Sequence, residues 1–296
     1  CSHRIDVVSL HEQDIVQRRS VELGQRIVAR ERELGMTPVL QGFTGHIPEA
    51  LVRRNPSASV QRIHWVDWDT HLLDPLDPLF ADVASVFLEE QTALFGTDHL
   101  YAADPFIEMV PPSSDPDYLA ALSRAILEGM TNTDPRARWI MQGWCFKHME
   151  DSWSQEGIVA FLGALPDDHS LVLDLACEER PMYLETEGFA GKPWVFGNVL
   201  NYGNNIHLAA AMEADTRALA DARQSGAGGH LKGIGVVNEG LGVNPVAFDF
   251  FFEQAWIPSS DRPESWTTDY AVNRYGHQND RAVDAWRTLA TSVLRH

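Results

Sequence analysis

Short apolar runs alternate with helix-like stretches along most of the chain, and this alternation restricts the possible folds more than any other sequence feature. Six runs predict β-strands, at residues 36–43, 100–106, 138–144, 171–175, 194–200 and 231–237. Strands that are apolar on both faces are typical of a parallel sheet covered by helices. The repeating β-α order therefore predicts an α/β fold, either a barrel or a doubly wound sheet.

Glycine and proline mark the ends of the predicted helices. One helix ends near Gly35 and another at Gly96, because glycine readily adopts the left-handed conformation that follows a helix. A third begins at Ser114–Pro116, with proline in its first turn. The face of this third helix that we expect to be buried consists of Leu119, Leu122, Ile126 and Met130.

The strand pattern stops after residue 245, and the apolar residues that follow have helical spacing. We therefore predict a partial (β/α) barrel domain at 1–245 and the beginning of an all-helical domain at 246–296. Six strands do not close the usual eight-stranded (β/α)8 barrel. We expect the chain to begin inside a longer protein, with about two barrel strands upstream of Cys1.

Charge and composition exclude several classes of protein. The net charge is −19, from 42 acidic and 23 basic residues, so the clustered Lys and Arg that bind nucleic acid are missing. No apolar run approaches the roughly 18 residues of a membrane-spanning helix. The three cysteines form neither a disulfide framework nor a zinc pattern, and Asp67–Asp69 favours a polar loop over a cation site. The sequence predicts no metal and no cofactor, and it leaves the oligomeric state open.

Several acids follow the carboxyl ends of predicted strands, where barrel enzymes carry their reactive groups. These acids are Asp104, Glu108, Asp174, Glu178, Glu179 and Glu239. The aromatic residues expected at the same level are Trp65, Trp68, Trp144 and Tyr202. Hydrolysis of a sugar acetal needs one carboxylic acid to protonate the leaving oxygen and one carboxylate behind the anomeric carbon. The alternative is that the acids are loop caps or salt-bridge partners and that Trp65 and Trp144 are core residues.

Several segments, taken as whole strings, resemble the α-N-acetylglucosaminidases of glycoside hydrolase family 89. The similar segments are GMTPVL at 35–40, GHIPEA at 45–50, FGTDHLYAAD at 95–104, EMVPPSS at 108–114, QGW at 142–144, LVLDL at 171–175, EG at 239–240 with NP at 244–245, and RYG at 274–276. They occur in the family's order, from about Leu23 to Gly276. The stretch from GTDH to PPS is highly specific, whereas a short piece such as QGW is not.

The resemblance implies a retaining glycosidase that removes terminal α-linked N-acetylglucosamine from glycans without a cofactor. The family's acid/base glutamate corresponds to Glu108 and its nucleophile to Glu239. The carboxyl groups of a retaining pair lie about 5–5.5 Å apart. The residues that the resemblance assigns to the sugar site are Trp65, Trp144, Leu175, Asn201 and Tyr202.

Three departures from the family pattern keep other interpretations open. Ile107 precedes the acid/base glutamate where some members have Asn or His, and Asn238 stands where Pro commonly precedes the nucleophile. The loop LNYGNN at 200–205 replaces a typical LHNFGGN. The alternatives are an inactive carbohydrate-binding relative, a fragment without independent activity, and a barrel glycosidase with another sugar preference.

Overall fold

The computed structural model of the chain describes residues 10–65, 68–104, 106–148, 150–205, 210–256 and 263–295. Its strands are β1 (Leu40–Gln41), β2 (His46–Ile47), β3 (Val60–Trp65), β4 (Trp68–Leu73), β5 (Leu100–Ala102), β6 (Arg138–Gln142), β7 (Ser170–Asp174), β8 (Trp194–Asn198) and β9 (Leu231–Val236). Its α-helices are α1 (Leu10–Glu33), α2 (Glu49–Arg54), α3 (Pro78–Phe95), α4 (Pro116–Thr131), α5 (Trp144–His148), α6 (Gln155–Gly163), α7 (Glu187–Ala190), α8 (Met212–Gln224), α9 (Pro245–Glu253), α10 (Pro263–Tyr275) and α11 (Asp280–Ala290). Each of the six predicted strands overlaps an observed one, so the predicted β-α order is confirmed.

The chain forms two compact units. The first comprises Cys1–Pro105 with Ala121–Ile140, and the second comprises Phe106–Ala120 with Met141–His296. In the first unit, β1, β5 and β6 are adjacent and parallel, with Leu40 opposite Tyr101 and Tyr101 opposite Trp139. The buried indole of Trp139 donates its N–H to the Ala103 carbonyl at 2.6 Å, which satisfies its polar edge inside the core.

A small antiparallel sheet in the first unit was not predicted. Its strand order is β2-β4-β3, and Ile63 of β3 lies opposite Thr70 of β4. The prediction of a polar loop is wrong for Trp68 and Asp69, which begin β4, while Asp67 lies outside the described residues. Most of these strand residues are exposed or only partly buried, so no continuous apolar run marked them in the sequence.

In the second unit, β7, β8 and β9 are adjacent and parallel. Gly143, directly after β6, donates its N–H to the Leu173 carbonyl of β7 at 2.8 Å. Trp194 and Phe196 of β8 are fully buried, and the Trp194 ring stacks on Tyr183 with 4.7 Å between centroids. Because β7, β8 and β9 point the same way, the loops that follow them leave from one edge of the strands.

The predicted helix signals are largely confirmed. Gly35 has φ 77° just after α1, and the N–H of Met36 donates to the Glu31 carbonyl at 3.0 Å, as in a Schellman motif. Gly96 has φ 74° at the end of α3. The predicted face of α4, formed by Leu119, Leu122, Ile126 and Met130, is at most 1% exposed.

Helices α8 to α11 share an apolar cluster within the second unit. The cluster contains Ala210, Met212, Val246, Ala247, Phe250 and Leu294, with Trp266, Tyr270, Trp286 and Leu289 packed against it. The N–H of Met212 donates to the Leu294 carbonyl at 3.1 Å. The division between 1–245 and 246–296 stays a prediction. Among the described helices, none combines the length and the apolar character needed to cross a membrane.

Candidate active site

Glu239 lies in the loop after β9 and is bonded to the loop after β8. Its Oε2 accepts the Gly203 N–H at 2.5 Å, and its own N–H donates to the Asn201 carbonyl at 3.2 Å. The side-chain amide of Asn201 in turn donates to the Gly242 carbonyl. The two strand-end loops therefore form one hydrogen-bonded assembly, with the side chain of Glu239 exposed on it.

Two glycines allow this close approach. Gly203 has φ 58°, a left-handed conformation that most residues with a side chain adopt only with strain. A Cβ added to Gly240 would lie 2.2 Å from Oδ1 of Asn204. The same Oδ1 accepts the Gly242 N–H at 3.4 Å. The absence of a side chain at 240 thus lets the loops lie against each other, while Gly203 supplies the left-handed turn.

Two of the predicted sugar-site residues, Leu175 and Asn201, are buried at the carboxyl ends of β7 and β8. Asn201 is 1% exposed and uses its amide on Gly242, so its observed role is to fix the shape of the loops. Leu175, directly after β7, is 6% exposed and lies beside Gly197 of β8. Their contact with a sugar stays a prediction.

Tyr202 is held by a neighbouring carboxylate. Its hydroxyl donates to Oε1 of Glu178 at 3.3 Å. Removal from water raises the pKa of Tyr202, and the nearby negative charge of Glu178 raises it further. Because the phenol stays protonated at neutral pH, Tyr202 acts as a hydrogen-bond donor, and its partly buried ring lies at the same edge as Glu239.

Trp144 begins α5 immediately after β6 and Gly143. Its ring stacks on His148, with 5.6 Å between centroids and 13° between planes. Nζ of Lys147 lies 5.3 Å from the Trp144 ring centroid. The ring is partly exposed, so it differs from a core residue such as Trp139.

Glu108 lies in the turn that begins at the buried Phe106, after β5 in the chain, and its side chain is exposed. Trp65 ends β3, but its side chain lies outside the described part of the structure. The pairing of Glu108 with Glu239 stays a prediction. The sugar contacts of Trp65 and Trp144 also stay predictions.

Two other strand-end acids bind groups of the protein itself. Asp174 is fully buried at the end of β7 and accepts the N–H groups of Met182 and Tyr183 at 3.1 and 2.9 Å. Burial raises the pKa of Asp174 to about 6, although these bonds oppose the rise. Glu179 pairs with Lys147 at 3.2 Å. Within the described ranges, no group of three or more His, Cys, Asp and Glu residues is arranged to hold a metal ion.

A buried polar pair beside the site was missed in the sequence. Asp215 on α8 is 4% exposed and accepts the side-chain N–H of Asn198 at 3.0 Å. Burial raises the pKa of Asp215 to about 7; the Asn198 hydrogen bond opposes this rise and the charge of Glu178 adds to it. An acid in the first turn of a helix is common, because it complements the helix dipole. The sequence therefore contained no signal that this one is buried.

Parallel strands with polar groups in the loops at their carboxyl edge are the arrangement of β/α-barrel proteins. A family model described as "Alpha-N-acetylglucosaminidase (NAGLU) tim-barrel domain" matches residues 7–258. The chain therefore belongs to this family, and its fold is a partial (β/α)8 barrel followed by helical segments. Both the family resemblance and the fold class predicted from the sequence are confirmed.

Individual relatives match nearly the whole chain. Human alpha-N-acetylglucosaminidase is 39% identical over 283 residues, which cover 93% of this chain and 38% of that protein. A family 89 glycoside hydrolase from Clostridium perfringens in complex with PUGNAc has a TM-score of 0.79 at 27% identity, covering 93% of this chain and 31% of that one. A variant of the bacterial enzyme in complex with its substrate GlcNAc-alpha-1,4-galactose has a TM-score of 0.77 at 27% identity, covering 92% of this chain and 30% of that one. The chain spans 38% or less of the length of these relatives.

Proposed function

We propose that the natural protein carrying this chain is a retaining glycoside hydrolase that removes terminal α-linked N-acetylglucosamine from glycans. Membership of the family and the similarity to an alpha-N-acetylglucosaminidase support the reaction class. The observation that carries the proposal is the exposed carboxylate of Glu239, held by the Gly203 N–H at the carboxyl edge of parallel strands. One oxygen of this carboxylate is fixed by the loop, which leaves the other to attack a substrate.

The reaction has two displacements at the anomeric carbon. In the first, Glu239 forms a bond to this carbon while the bond to the leaving oxygen breaks, and Glu108 donates its proton to that oxygen. In the second, Glu108 takes a proton from water, the water oxygen bonds to the anomeric carbon, and the Glu239 carboxylate leaves. Two inversions restore the α configuration of the released sugar. Glu108 serves as acid and then as base, and no cofactor takes part.

The aromatic residues have a positioning role in this proposal. Trp144, Tyr202 and Trp65 offer flat surfaces to the C–H face of the sugar, and Leu175 and Asn201 shape the floor of the sugar site. The hydrogen bond of Tyr202 to Glu178 supports this arrangement, because it fixes the direction of the phenol ring.

The proposal is tested by hydrolysis of aryl α-N-acetylglucosaminides with the natural protein that carries this chain. Glu239→Gln is expected to abolish turnover of every aryl glycoside. Glu108→Gln is expected to lose most of its kcat/KM on a poor leaving group, yet retain much of it on a 2,4-dinitrophenyl group, which needs no proton. Its kcat should be low on both substrates, because the second displacement has lost its base. Glu156→Gln, the same change at an exposed position of α6, is the matched control.

Three outcomes would count against the proposal. Unchanged turnover of Glu239→Gln would remove the nucleophile. A β-anomer as the first product in a proton NMR time course would exclude the retaining mechanism. Binding of N-acetylglucosamine without any cleavage by the wild-type protein would instead favour the inactive carbohydrate-binding relative.

A further inference from the structure

Glu178 has an unusual set of contacts for an acid with no assigned role. It lies in the loop after β7, and its Oε1 accepts the N–H of Val199 at 2.8 Å and the N–H of Leu200 at 3.3 Å. The same oxygen accepts the Tyr202 hydroxyl at 3.3 Å. Its Oε2 is buried and has no hydrogen-bond partner among the described residues. One carboxylate oxygen thus receives three donors from a single neighbouring loop.

The loop that Glu178 holds has a backbone that needs external support. Leu200 has φ 55°, a left-handed conformation that residues with a side chain seldom adopt, glycine and asparagine excepted. Bonds from backbone N–H groups to an ionised carboxylate are roughly twice as strong as bonds between neutral groups. The negative charge of Glu178 therefore stabilises a turn in which Leu200 holds a conformation that it does not favour by itself.

The same short loop also holds Glu239. Glu178 accepts donors at residues 199, 200 and 202, and the next residue, Gly203, donates to Glu239 at 2.5 Å. A shift of Leu200 and Tyr202 would therefore move the donor that fixes the carboxylate of Glu239. We propose that Glu178 is a positioning residue that sets the orientation of Glu239 and Tyr202 through the loop after β8. This inference rests on the proposed function.

A purely structural role for Glu178 makes a different prediction. If the carboxylate only stabilised the fold, Glu178→Gln would lower the melting temperature and leave the kinetics of the folded molecules unchanged. If it positions the nucleophile, kcat falls while KM changes little, because a misplaced reacting atom loses transition-state contacts more than ground-state binding. A displacement of about 1 Å can cost on the order of 10²-fold in rate.

The test compares Glu178→Gln with Glu156→Gln in the natural protein, using two aryl α-N-acetylglucosaminides. The expected result is a 10- to 100-fold fall in kcat with a change in KM below about 3-fold. This fall should be the same for a poor leaving group and for 2,4-dinitrophenyl, because the defect lies in the nucleophile and not in proton donation. Glu108→Gln, whose loss of kcat/KM depends on the leaving group, supplies the contrast.

A second measurement separates this inference from the proposed function. Hydrogen exchange of the backbone amides at 199–203, followed by mass spectrometry, should be faster in Glu178→Gln and unchanged in Glu156→Gln. Unchanged exchange, or a kcat within about 2-fold of wild type, would overturn the inference while the proposed function stands. A wild-type protein that cleaves no α-N-acetylglucosaminide would overturn the proposed function and the positioning role with it. Faster exchange in such a protein would show that Glu178 holds the loop for another purpose.

Discussion

The polar side chains at the start of β5 bond to one another, whereas several polar atoms at and after the carboxyl ends of β7 and β8 have no partner among the described residues. The strand-start cluster consists of Arg32, Thr97, Asp98, His99, Tyr101 and Asp134. Nδ1 of His99 lies 2.7 Å from a carboxylate oxygen of Asp134, and the Tyr101 hydroxyl donates to the same oxygen at 2.8 Å. Arg32 forms an ion pair with Asp98. Each of these side chains is bonded to another group of the protein.

The groups at the carboxyl ends of β7 and β8, and in the loops that follow, leave polar atoms without a partner among the described residues. The buried oxygens Glu178 Oε2, Asn198 Oδ1 and Asn201 Oδ1 have no hydrogen-bond partner in the described part of the chain. The side chain of Glu239 is exposed. The contrast shows that a family-specific string such as GTDH can be accounted for by contacts within the folded protein, without a role in catalysis. The chemistry proposed for Glu239 depends on a loop whose sequence departs further from the family.

Among the substitutions that test this comparison, Glu239→Gln should have the largest effect, which is on activity. Loss of the nucleophile is expected to lower kcat/KM roughly 10⁴-fold, or about 5.5 kcal/mol of transition-state stabilisation. The melting temperature should change by about 2 °C or less, because the side chain is exposed. Kinetics and thermal melting of the same preparation measure both effects. A clear fall in melting temperature with retained activity would place Glu239 among the purely structural groups.

Asp134→Asn should show the reverse of Glu239→Gln, with a loss of stability and no loss of activity. Burial alone would raise the pKa of Asp134, but the hydrogen bonds from His99 and Tyr101 outweigh it and hold the pKa below its ordinary value. The ionised form therefore stabilises the protein above the unfolded pKa of about 3.9, and this contribution is lost as the pH falls through the folded pKa. The expected loss in unfolding free energy at pH 7 is about 1–3 kcal/mol.

Urea unfolding of wild type and Asp134→Asn at pH 7 and pH 3 tests this expectation. The difference between the two proteins should be smaller at pH 3, because the stabilising contribution begins to fall once the pH is below the unfolded pKa of about 3.9. An equal difference at both pH values would show that the charge of Asp134 contributes nothing. The activity of the folded variant should match wild type, since the strand-start cluster contains none of the proposed catalytic residues.

Asp215→Asn should stabilise the protein at alkaline pH. The pKa of Asp215 is raised to about 7 in the folded state, so its stabilising contribution is complete below the unfolded value of about 3.9 and is lost as the pH rises through 7. Asparagine keeps an acceptor for Asn198 and carries no charge. We expect a gain on the order of 1–3 kcal/mol at pH 8, estimated from about 1.4 kcal/mol per pKa unit. Melting curves at pH 5 and pH 8 check it, and a variant less stable than wild type at pH 8 would refute it.

Gly203→Ala should have the smallest effect. The φ of 58° costs an alanine about 1 kcal/mol, while the backbone N–H that donates to Glu239 is retained. We expect a fall of a few degrees in melting temperature and a several-fold loss of kcat. Gly229→Ala, at a glycine with no heavy atom within 4 Å of an added Cβ, is the matched control. Equal behaviour of the two variants would mean that the loop tolerates the change without strain.

The sequence predicted elements that depend on local pattern and missed those that depend on distant contacts. The six parallel strands were predictable because each is a short apolar run, and the helix ends because glycine follows them. The hairpin of β3 and β4 was not, since polar residues interrupt the apolar ones and neither strand is a continuous apolar run. The bond from Gly203 to Glu239 joins residues 36 positions apart, and no periodicity in the chain encodes it. The burial of Asp215 likewise depends on the packing of α8 beside Asn198 of β8, which is distant in the sequence.

The interlocked loops after β8 and β9 also bear on how such a protein can be modified. Asn201 reaches Gly242, Asn204 reaches the same glycine, and Gly240 has room for no side chain beside Asn204. A segment spanning 199–204 that is transplanted from a homologue would arrive without its counterpart at 237–242. We therefore expect that a change of substrate specificity by loop exchange requires both segments to be transferred together. In natural relatives, sequence changes in one segment should be accompanied by changes in the other.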